Sequence, residues 1–456
     1  MYQRHKEMLS LMEHQKKTVQ LRLKTPRFYN ASSPGTGKTI TELAVWNRDE
    51  TAKRLLVIAP KSILQAAWGN DIEKFIPTAT YAIAWAGVAR EKAFKSNAEI
   101  VITNHDAIKW LDKNPDMLAD FTHLVVDEAT AYKNRTSARS KAMRNRRTHF
   151  QNRCLMSGTP TPQSVTDIWH QMYIVDDGET FGKQFLAFQT QVCTPTPVPG
   201  VPGAVKWTDK PDAPMLVADR MKDVSVRFQL EDCVDIPPNV VQDMEVALPP
   251  KLMKLYKDFE ENAILELEQG DIDAVSAGVL ANKLLQLTSG RIYDSSGNAH
   301  TVHTERAELV TDLVQESGAA VVAFLWTHQR DQLVELAKSA GLRYGVIDGS
   351  VGHHARAQVV EDFQNGKLDV VYAHPQSAGH GLTLTRGNTT IWTSPTFNSE
   401  FYEQFNARIY RNGQKNKTRT IHIAAAGTYE TEVYKKLQGK VNAMGNLLSV
   451  LKAHKR

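Results

Sequence analysis

Short apolar runs alternate with amphipathic stretches along most of the chain. In the first half, Leu55 to Ala59, Glu99 to Thr103, His123 to Val126 and Cys154 to Met156 are nearly free of polar residues and rich in β-branched side chains. A strand wet on one face alternates apolar with polar positions, so continuous apolar runs predict strands covered on both faces, as in a parallel sheet. The second half repeats the rhythm with Ala320 to Leu325, Tyr344 to Ile347, Val370 to Ala373, Thr390 to Thr393 and Thr420 to Ala424. This predicts an α/β chain with two doubly wound parallel-sheet lobes in tandem.

Between the two series the pattern breaks. Thr194 to Pro214 holds Pro195, Pro197, Pro199, Pro202, Pro211 and Pro214, which no regular helix or inner strand tolerates, so a loop or insertion is predicted near 194–214. After Pro237-Pro238 and Pro249-Pro250, Lys251 to Gln269 has helical spacing and Gly278 to Leu287 reads as a further helix. The boundary is placed near Asp235 to Val240, giving a first lobe over 1–235 and a second over 236–456 that carries the helical insertion.

The length of 456 residues accommodates two such cores, since about 100 to 200 residues make one domain. Met1 to Gln20 has no apolar run suited to a signal peptide or a membrane span. Cys154, Cys193 and Cys233 are far apart and form no C-x-x-C pair, which argues against a disulfide framework and a zinc site. His353, His354 and His374 lack partners at ligand spacing and read as surface or loop residues. A reducing, cytoplasmic setting follows, with no membrane partner.

The net charge is only +5, so distribution matters more than the sum. From Ala129 to Thr166 no acidic residue occurs, while Lys133, Arg135, Arg139, Lys141, Arg144, Arg146, Arg147 and Arg153 all do. Such a window is either a solvated basic face or a phosphate-contacting one.

Chemistry concentrates in two places in the first lobe. Ser33-Pro34-Gly35-Thr36-Gly37-Lys38-Thr39 precedes a stretch that can open a helix. Its glycines let backbone amides wrap phosphate oxygens, Lys38 supplies a point charge, and the Thr39 hydroxyl can ligate Mg²⁺. The first glycine of the full P-loop pattern is Ser32 here. His123 to Val126 then ends in Asp127-Glu128, where Asp127 can hold Mg²⁺ and Glu128 can orient or deprotonate a water. In the second lobe Arg408 and Arg411 lie three apart, so a helix would aim both from one face toward a γ-phosphate.

Further blocks resemble those of the Swi/Snf-like DNA translocases of helicase superfamily two. Val57 to Leu64 with Trp68 and Glu73-Lys74-Phe75 is similar to motif Ia, and Ile102-Thr103-Asn104-His105 to motif Ib. Asp127-Glu128-Ala129-Thr130 with Lys133-Asn134 resembles motif II, and Ser157-Gly158-Thr159-Pro160 motif III. Val321 to Leu325 with His328 and Asp331 resembles motif IV, Ala378 to Leu384 motif V, and Glu403 to Gln414 motif VI; Gly427-Thr428-Tyr429-Glu430 is similar to the closing element.

The resemblance runs from Gln15 to about Gln438 and implies two RecA-like lobes with a cleft between them, hydrolysing ATP with Mg²⁺ to move along double-stranded DNA irrespective of sequence. By the same resemblance Gln15 reads adenine, and Pro34, Gly35, Thr36, Gly37, Lys38, Thr39 and Gln404 bind nucleotide. Ser157, Gly158, Thr159, Gly379 and Gly381 couple the ATP site to the track. Lys61, Ser62, Asn104, Lys133 and Asn134 face nucleic acid.

Thr130 stands where histidine is usual, Thr383 and Gln163 where asparagines are usual, and none removes a phosphate-facing charge. The compact layout suggests a minimal motor of bacterial or viral type, acting as a monomer. A strand-separating or branch-migrating helicase, and a nucleic-acid-binding scaffold with weak ATPase, are the alternatives.

Overall fold

The apolar runs of the first half become inner strands of one parallel sheet. The computed structural model describes residue 5 and residues 10–198, 203–268, 282–294, 296–378 and 382–439. The predicted helix from Gly278 therefore lies partly outside the described residues, with 282–288 helical, and Gly379 and Gly381 lie wholly outside them. The chain divides into two compact units, meeting in sequence between Asp235 and Ile236.

In the first unit the strands are β1 (Arg27–Asn30), β2 (Arg54–Ala59), β3 (Tyr81–Ala84), β4 (Ile100–Asn104), β5 (Phe121–Asp127), β6 (Asn152–Met156), β7 (Cys193–Pro197), β8 (Val205–Asp209) and β9 (Ser225–Val226). Seven of them form one sheet in the order β3-β4-β2-β5-β6-β1-β9, every neighbour parallel. Successive side chains on a strand point to opposite faces. Leu56, Ile58, Leu124, Val126 and Leu155 accordingly enter one core, and Leu55, Val57, Val125, Cys154 and Met156 the other. Both faces are buried, which is why the runs carry no polar alternation.

The proline-rich stretch differs from the predicted loop: β7 and β8 pair as an antiparallel hairpin, with Pro195 opposite Trp207 and Pro197 opposite Val205. A two-stranded ribbon has an outer edge on each strand, where a missing N–H leaves no ladder bond unmade.

The second unit holds β10 (Asn239–Val246), a small hairpin of β11 (Arg291–Tyr293) and β12 (Ala299–Thr301), β13 (Ala320–Ala323), β14 (Tyr344–Ile347), β15 (Val370–Ala373), β16 (Thr389–Trp392) and β17 (Thr418–Ala425). Its parallel sheet runs β10-β17-β16-β13-β15-β14. Glu430 explains the closing element: buried, it takes hydrogen bonds from Arg306, from Thr288 Oγ1 at 2.7 Å and from the Ala425 amide at 2.6 Å. A buried carboxylate so fully bonded anchors the chain after β17. Among the described residues no helix is long and apolar enough to cross a membrane.

One buried group makes this unit pH-sensitive. His328 is buried against Trp326, their rings stacked with centroids 5.9 Å apart, and neither ring nitrogen has a partner among the described residues. Burial, reinforced by the Arg291 charge, pushes its pKa down to about 4 from 6.5. The unfolded state therefore binds the extra proton first, so the stabilisation is complete above pH 6.5 and is lost as pH falls toward about 4. Urea unfolding across that window should show a steeper loss of stability in the wild type than in His328→Leu; parallel pH dependences would contradict the assignment.

Candidate nucleotide site and nucleic-acid face

A parallel sheet gathers the carboxyl ends of its strands on one edge, where α/β proteins bind ligands. In the first unit the segment Ser33–Thr39 follows β1, Lys61-Ser62 follows β2, Asn104 ends β4, Asp127 ends β5 and Ser157-Gly158-Thr159 follows β6. Registers align these ends: Asn30 pairs with Met156, Met156 with Asp127, and Ala59 with Asn104.

The glycine turn is built from left-handed backbone. Gly35 has φ +84° and Gly37 φ +80°, a region that L side chains adopt at a cost. At Gly37 a Cβ would also lie 2.3 Å from Gln15 Nε2. The helix Lys38–Arg48 starts at the next residue, presenting the amides and positive dipole end that suit phosphate. Lys38 Nζ donates to the carbonyls of Ser32 (2.9 Å) and Ser33 (3.3 Å), which ties its charge to the turn. Thr39 is half-buried in the first turn of that helix. Gln15 is buried, with Nε2 on Thr36 O (3.2 Å) and Oε1 taking the Met12 amide (2.9 Å), so it braces the turn from behind.

Ser32, the departure from the usual glycine, has a job of its own. Its hydroxyl accepts the Phe228 amide at 3.1 Å, and the Ser33 amide donates to Phe228 O at 2.9 Å. Beside it Arg227 Nη1 donates to Ala31 O (2.6 Å) and Gly158 O (3.4 Å). The chain just past β9 thus clasps the turn to the Ser157-Gly158-Thr159 segment. Contact there is close: a Cβ on Gly158 would sit 2.8 Å from Pro34 Cδ. The Thr159 hydroxyl is buried with no hydrogen-bond partner among the described residues.

Asp127 is buried, and its two oxygens are held separately. Oδ2 takes the indole N–H of Trp68 at 3.0 Å, and Oδ1 takes the Glu128 amide at 3.1 Å. Burial pushes its carboxyl above the usual range, while Lys38 foremost, then the two N–H donors, act against the rise. Trp68 is fully buried and lies in a π-helical turn, Leu64–Gly69. Its indole is the contact that linear reading missed; an aromatic residue near motif Ia is the only signal for it. Glu128 has φ 52° and ψ 60°, a left-handed conformation that costs a non-glycine residue on the order of 1–3 kcal/mol. The hydroxyl of Thr39 and the carboxylate of Asp127 are hard oxygen donors, a set that fits Mg²⁺.

Four of the eight cations in the acid-free window are paired with carboxylates. Arg139 pairs with Asp106 (2.9 Å), Arg146 with Asp112 (2.7 Å), and Arg147 and the fully buried Arg153 with Asp177 (2.7 and 2.8 Å). Their acids come from outside the acid-free window, which linear counting cannot see. Lys61 is exposed and Ser62 half-buried in a 3₁₀ turn, and Asn104 Oδ1 accepts from Arg90 at 3.3 Å. Lys133 is half-buried near Asp167, whose raised pKa it opposes. Asn134 Oδ1 takes the amide and hydroxyl of Thr136 at 3.0 and 2.7 Å, shaping the turn that exposes it.

In the second unit the arginine pair converges, though not as a helix would arrange it. The helix Ser399–Asn406 ends before Arg408, and both arginines lie in the turns that follow. They meet at one acceptor: Arg408 Nη1 and Arg411 Nη1 donate to Leu382 O at 3.3 and 2.9 Å. The Leu384 amide returns a bond to Arg408 O (2.9 Å), and Gln414 Nε2 donates to Thr385 O (3.1 Å) and Gly387 O (2.9 Å). Motifs V and VI are thereby stitched together. Gln404 is buried, with its Oε1 lacking a hydrogen-bond partner among the described residues.

Residues 31–290 match the SNF2-related domain, and residues 305–413 match the helicase conserved C-terminal domain. The chain belongs to the SNF2-related domain family. As a member it is a helicase-type, DNA-dependent ATPase with ATP as its substrate. It is similar to protein p41 of Acyrthosiphon pisum secondary endosymbiont phage 1, 28% identical over 92% of this chain and 93% of that one. An uncharacterized ATP-dependent helicase of Mycoplasma pneumoniae is 24% identical over 94% of this chain but 41% of its own length. Mouse chromodomain-helicase-DNA-binding protein 1-like is 23% identical over 89% and 46%. The chain thus spans less than half of these two cellular relatives. Among solved structures, a Sulfolobus solfataricus SWI2/SNF2 ATPase core in complex with double-stranded DNA is 18% identical, with a TM-score of 0.44, covering 98% of this chain and 96% of that one.

For this SNF2-related ATPase the Trp68–Asp127 bond gives a direct expectation. Trp68→Phe keeps most of the packing but removes the N–H that orients a carboxylate. Steady-state phosphate release should fall about ten- to hundredfold, the usual effect of losing a group that orients a ligand side chain, with the far-UV circular dichroism unchanged. Wild-type turnover in a folded variant would remove Trp68 from the site.

Proposed function

We propose that this ATPase is a translocase: ATP hydrolysis drives it along double-stranded DNA by contacts to phosphates, without reading sequence. What supports the reading most is the glycine turn of Gly35 and Gly37 lying on the same sheet edge as Asp127, in a family whose second half supplies Arg408 and Arg411.

In this proposal Pro34, Gly35, Thr36, Gly37, Lys38 and Thr39 hold the phosphates, Gln15 and Gln404 help bind the nucleotide, and Glu128 orients the attacking water. Thr39 and Asp127 would hold Mg²⁺, which would supply positive charge to neutralise the phosphates. Arg408 and Arg411, released from Leu382 O, stabilise charge that develops on the transferred phosphoryl group. Ser157, Gly158 and Thr159, of which Gly158 lies close to Pro34, report the state of the turn to the strand-gripping surface, and Gly379 and Gly381 do the same in the second half. Lys61, Ser62, Asn104, Lys133 and Asn134 contact the backbone of the duplex.

ATP turnover measured with no nucleic acid, single strands, duplex DNA, RNA and forked DNA tests this. Duplex DNA should stimulate most. Arg408→Ala should lower the stimulated rate by about 10³-fold or more, as loss of an arginine finger does, and Lys38→Ala should abolish it. Equal stimulation by every ligand would end the translocase reading, and unaltered rates in both variants would end the site assignment.

Binding of duplex DNA should weaken steeply with salt. Lys61→Ala should reduce the slope of log affinity against log salt by about one, as removal of a single phosphate contact does. An unchanged slope would take Lys61 off the track.

A further inference from the structure

The helix Asp167–Asp176, which follows the Ser157–Pro160 turn, forms one wall of a pocket of about 280 Å³ in the first unit. Arg135, Lys141, Arg144 and Lys183 line it, and no carboxylate does. None of the four forms an ion pair among the described residues, although four neighbours in the same basic window do. Gathering like charges around a concave space is unfavourable unless an anion joins them.

Two residues of this wall carry buried polar atoms without a partner among the described residues. Trp169 and His170 line the pocket at 6% and 2% exposure, and neither Trp169 Nε1 nor His170 Nε2 has a hydrogen-bond partner among the described residues. Unpartnered buried polar atoms are costly, and a bound water, ion or ligand is one way to satisfy them. His170 Nδ1 lies 2.7 Å from Tyr132 O. A carbonyl only accepts, so Nδ1 carries the proton and Nε2 presents a lone pair. Burial, with Arg144, Arg147 and Arg135 adding to it, holds the ring neutral by pushing its pKa down to about 4. The occupant must therefore bring anionic oxygens for the cations and the indole, and an O–H for His170.

We propose that this pocket binds the phosphate of a phosphate ester, with Arg135, Lys141, Arg144, Lys183 and the Trp169 N–H meeting its anionic oxygens and His170 Nε2 accepting from a hydroxyl. The size lies at the small end for ligand pockets, roughly 300 Å³, which suits a sugar phosphate. A soluble monoester supplies the hydroxyl from its phosphate or its sugar. An internal phosphodiester of DNA supplies only the anionic oxygens. None of these residues belongs to the nucleotide-handling set, so the site goes beyond the proposed motor. Its link to that motor is short, because Tyr132 O, which orients His170, lies in the 3₁₀ turn that begins just after Glu128.

Tryptophan emission can be followed while sodium phosphate, deoxyribose 5-phosphate or a short blunt duplex is added at constant ionic strength. Phosphate and deoxyribose 5-phosphate should change the emission in the wild type and in Lys38→Ala, but not in Trp169→Phe. Lys141→Ala/Arg144→Ala, whose side chains are exposed, should keep the wild-type circular dichroism and need about tenfold more ligand or greater, the expected loss for two charge-assisted bonds. A response to duplex alone, lost in the same double variant, would make the pocket a contact for the DNA backbone and overturn the hydroxyl-bearing ester proposed here. A double variant that titrates like the wild type with every ligand, or a wild type that responds to none, overturns the proposal. The P-loop variants decide the motor independently.

Discussion

Any side chain at position 37 would be strained. The backbone there is left-handed and Gln15 Nε2 occupies the place where a Cβ would go. That steric exclusion lets the helix Lys38–Arg48 begin directly at the turn with its amides facing outward, and the turn in turn sets where Lys38 and Thr39 stand. Behind it, Arg22 and Glu42 form an ion pair at 3.1 Å, both 1% exposed, with Asn152 Oδ1 taking a further Arg22 bond at 2.6 Å. A buried pair with its remaining donors satisfied adds registry more than stability. Here it locks the preceding helix, Glu13–Lys24, against the helix that opens at Lys38.

The carboxylates opposite illustrate a different balance. Asp127 resists ionising because it is buried, yet three groups favour its charged form. Glu128 sits in a conformation that an isolated chain would avoid. Asp127 is kept where it is by Trp68 and Lys38, both from distant segments.

Legibility followed locality. A glycine turn that opens a helix is contiguous, so the shape of Ser33 to Thr39 could be read directly, and so could inner strands such as β15, whose residues must be apolar on both sides. Contacts set by tertiary structure could not. Nothing near Trp68 announces Asp127, and Ser32 reads as a lost glycine until Phe228 is beside it. The arginines of motif VI meet at Leu382 O through a turn, whereas their three-residue spacing suggested a helix face. Edge strands were also hidden: β10 is mostly exposed and alternates weakly, so its burial pattern resembles that of a loop. The acid-free window misled for the same reason, since Asp106, Asp112 and Asp177 lie beyond its limits.

The clasp at Ser32 has a consequence for the order in which the molecule is made. Phe228 is 196 residues downstream of the serine whose hydroxyl it bonds, and β9, the strand beside β1, is also late. A ribosome that has emitted the whole Walker sequence has not yet emitted what braces it. Loop closure over so long a span is slow, and units of this kind fold once their last strand is available. The glycine turn is therefore among the first parts synthesised and among the last to be braced.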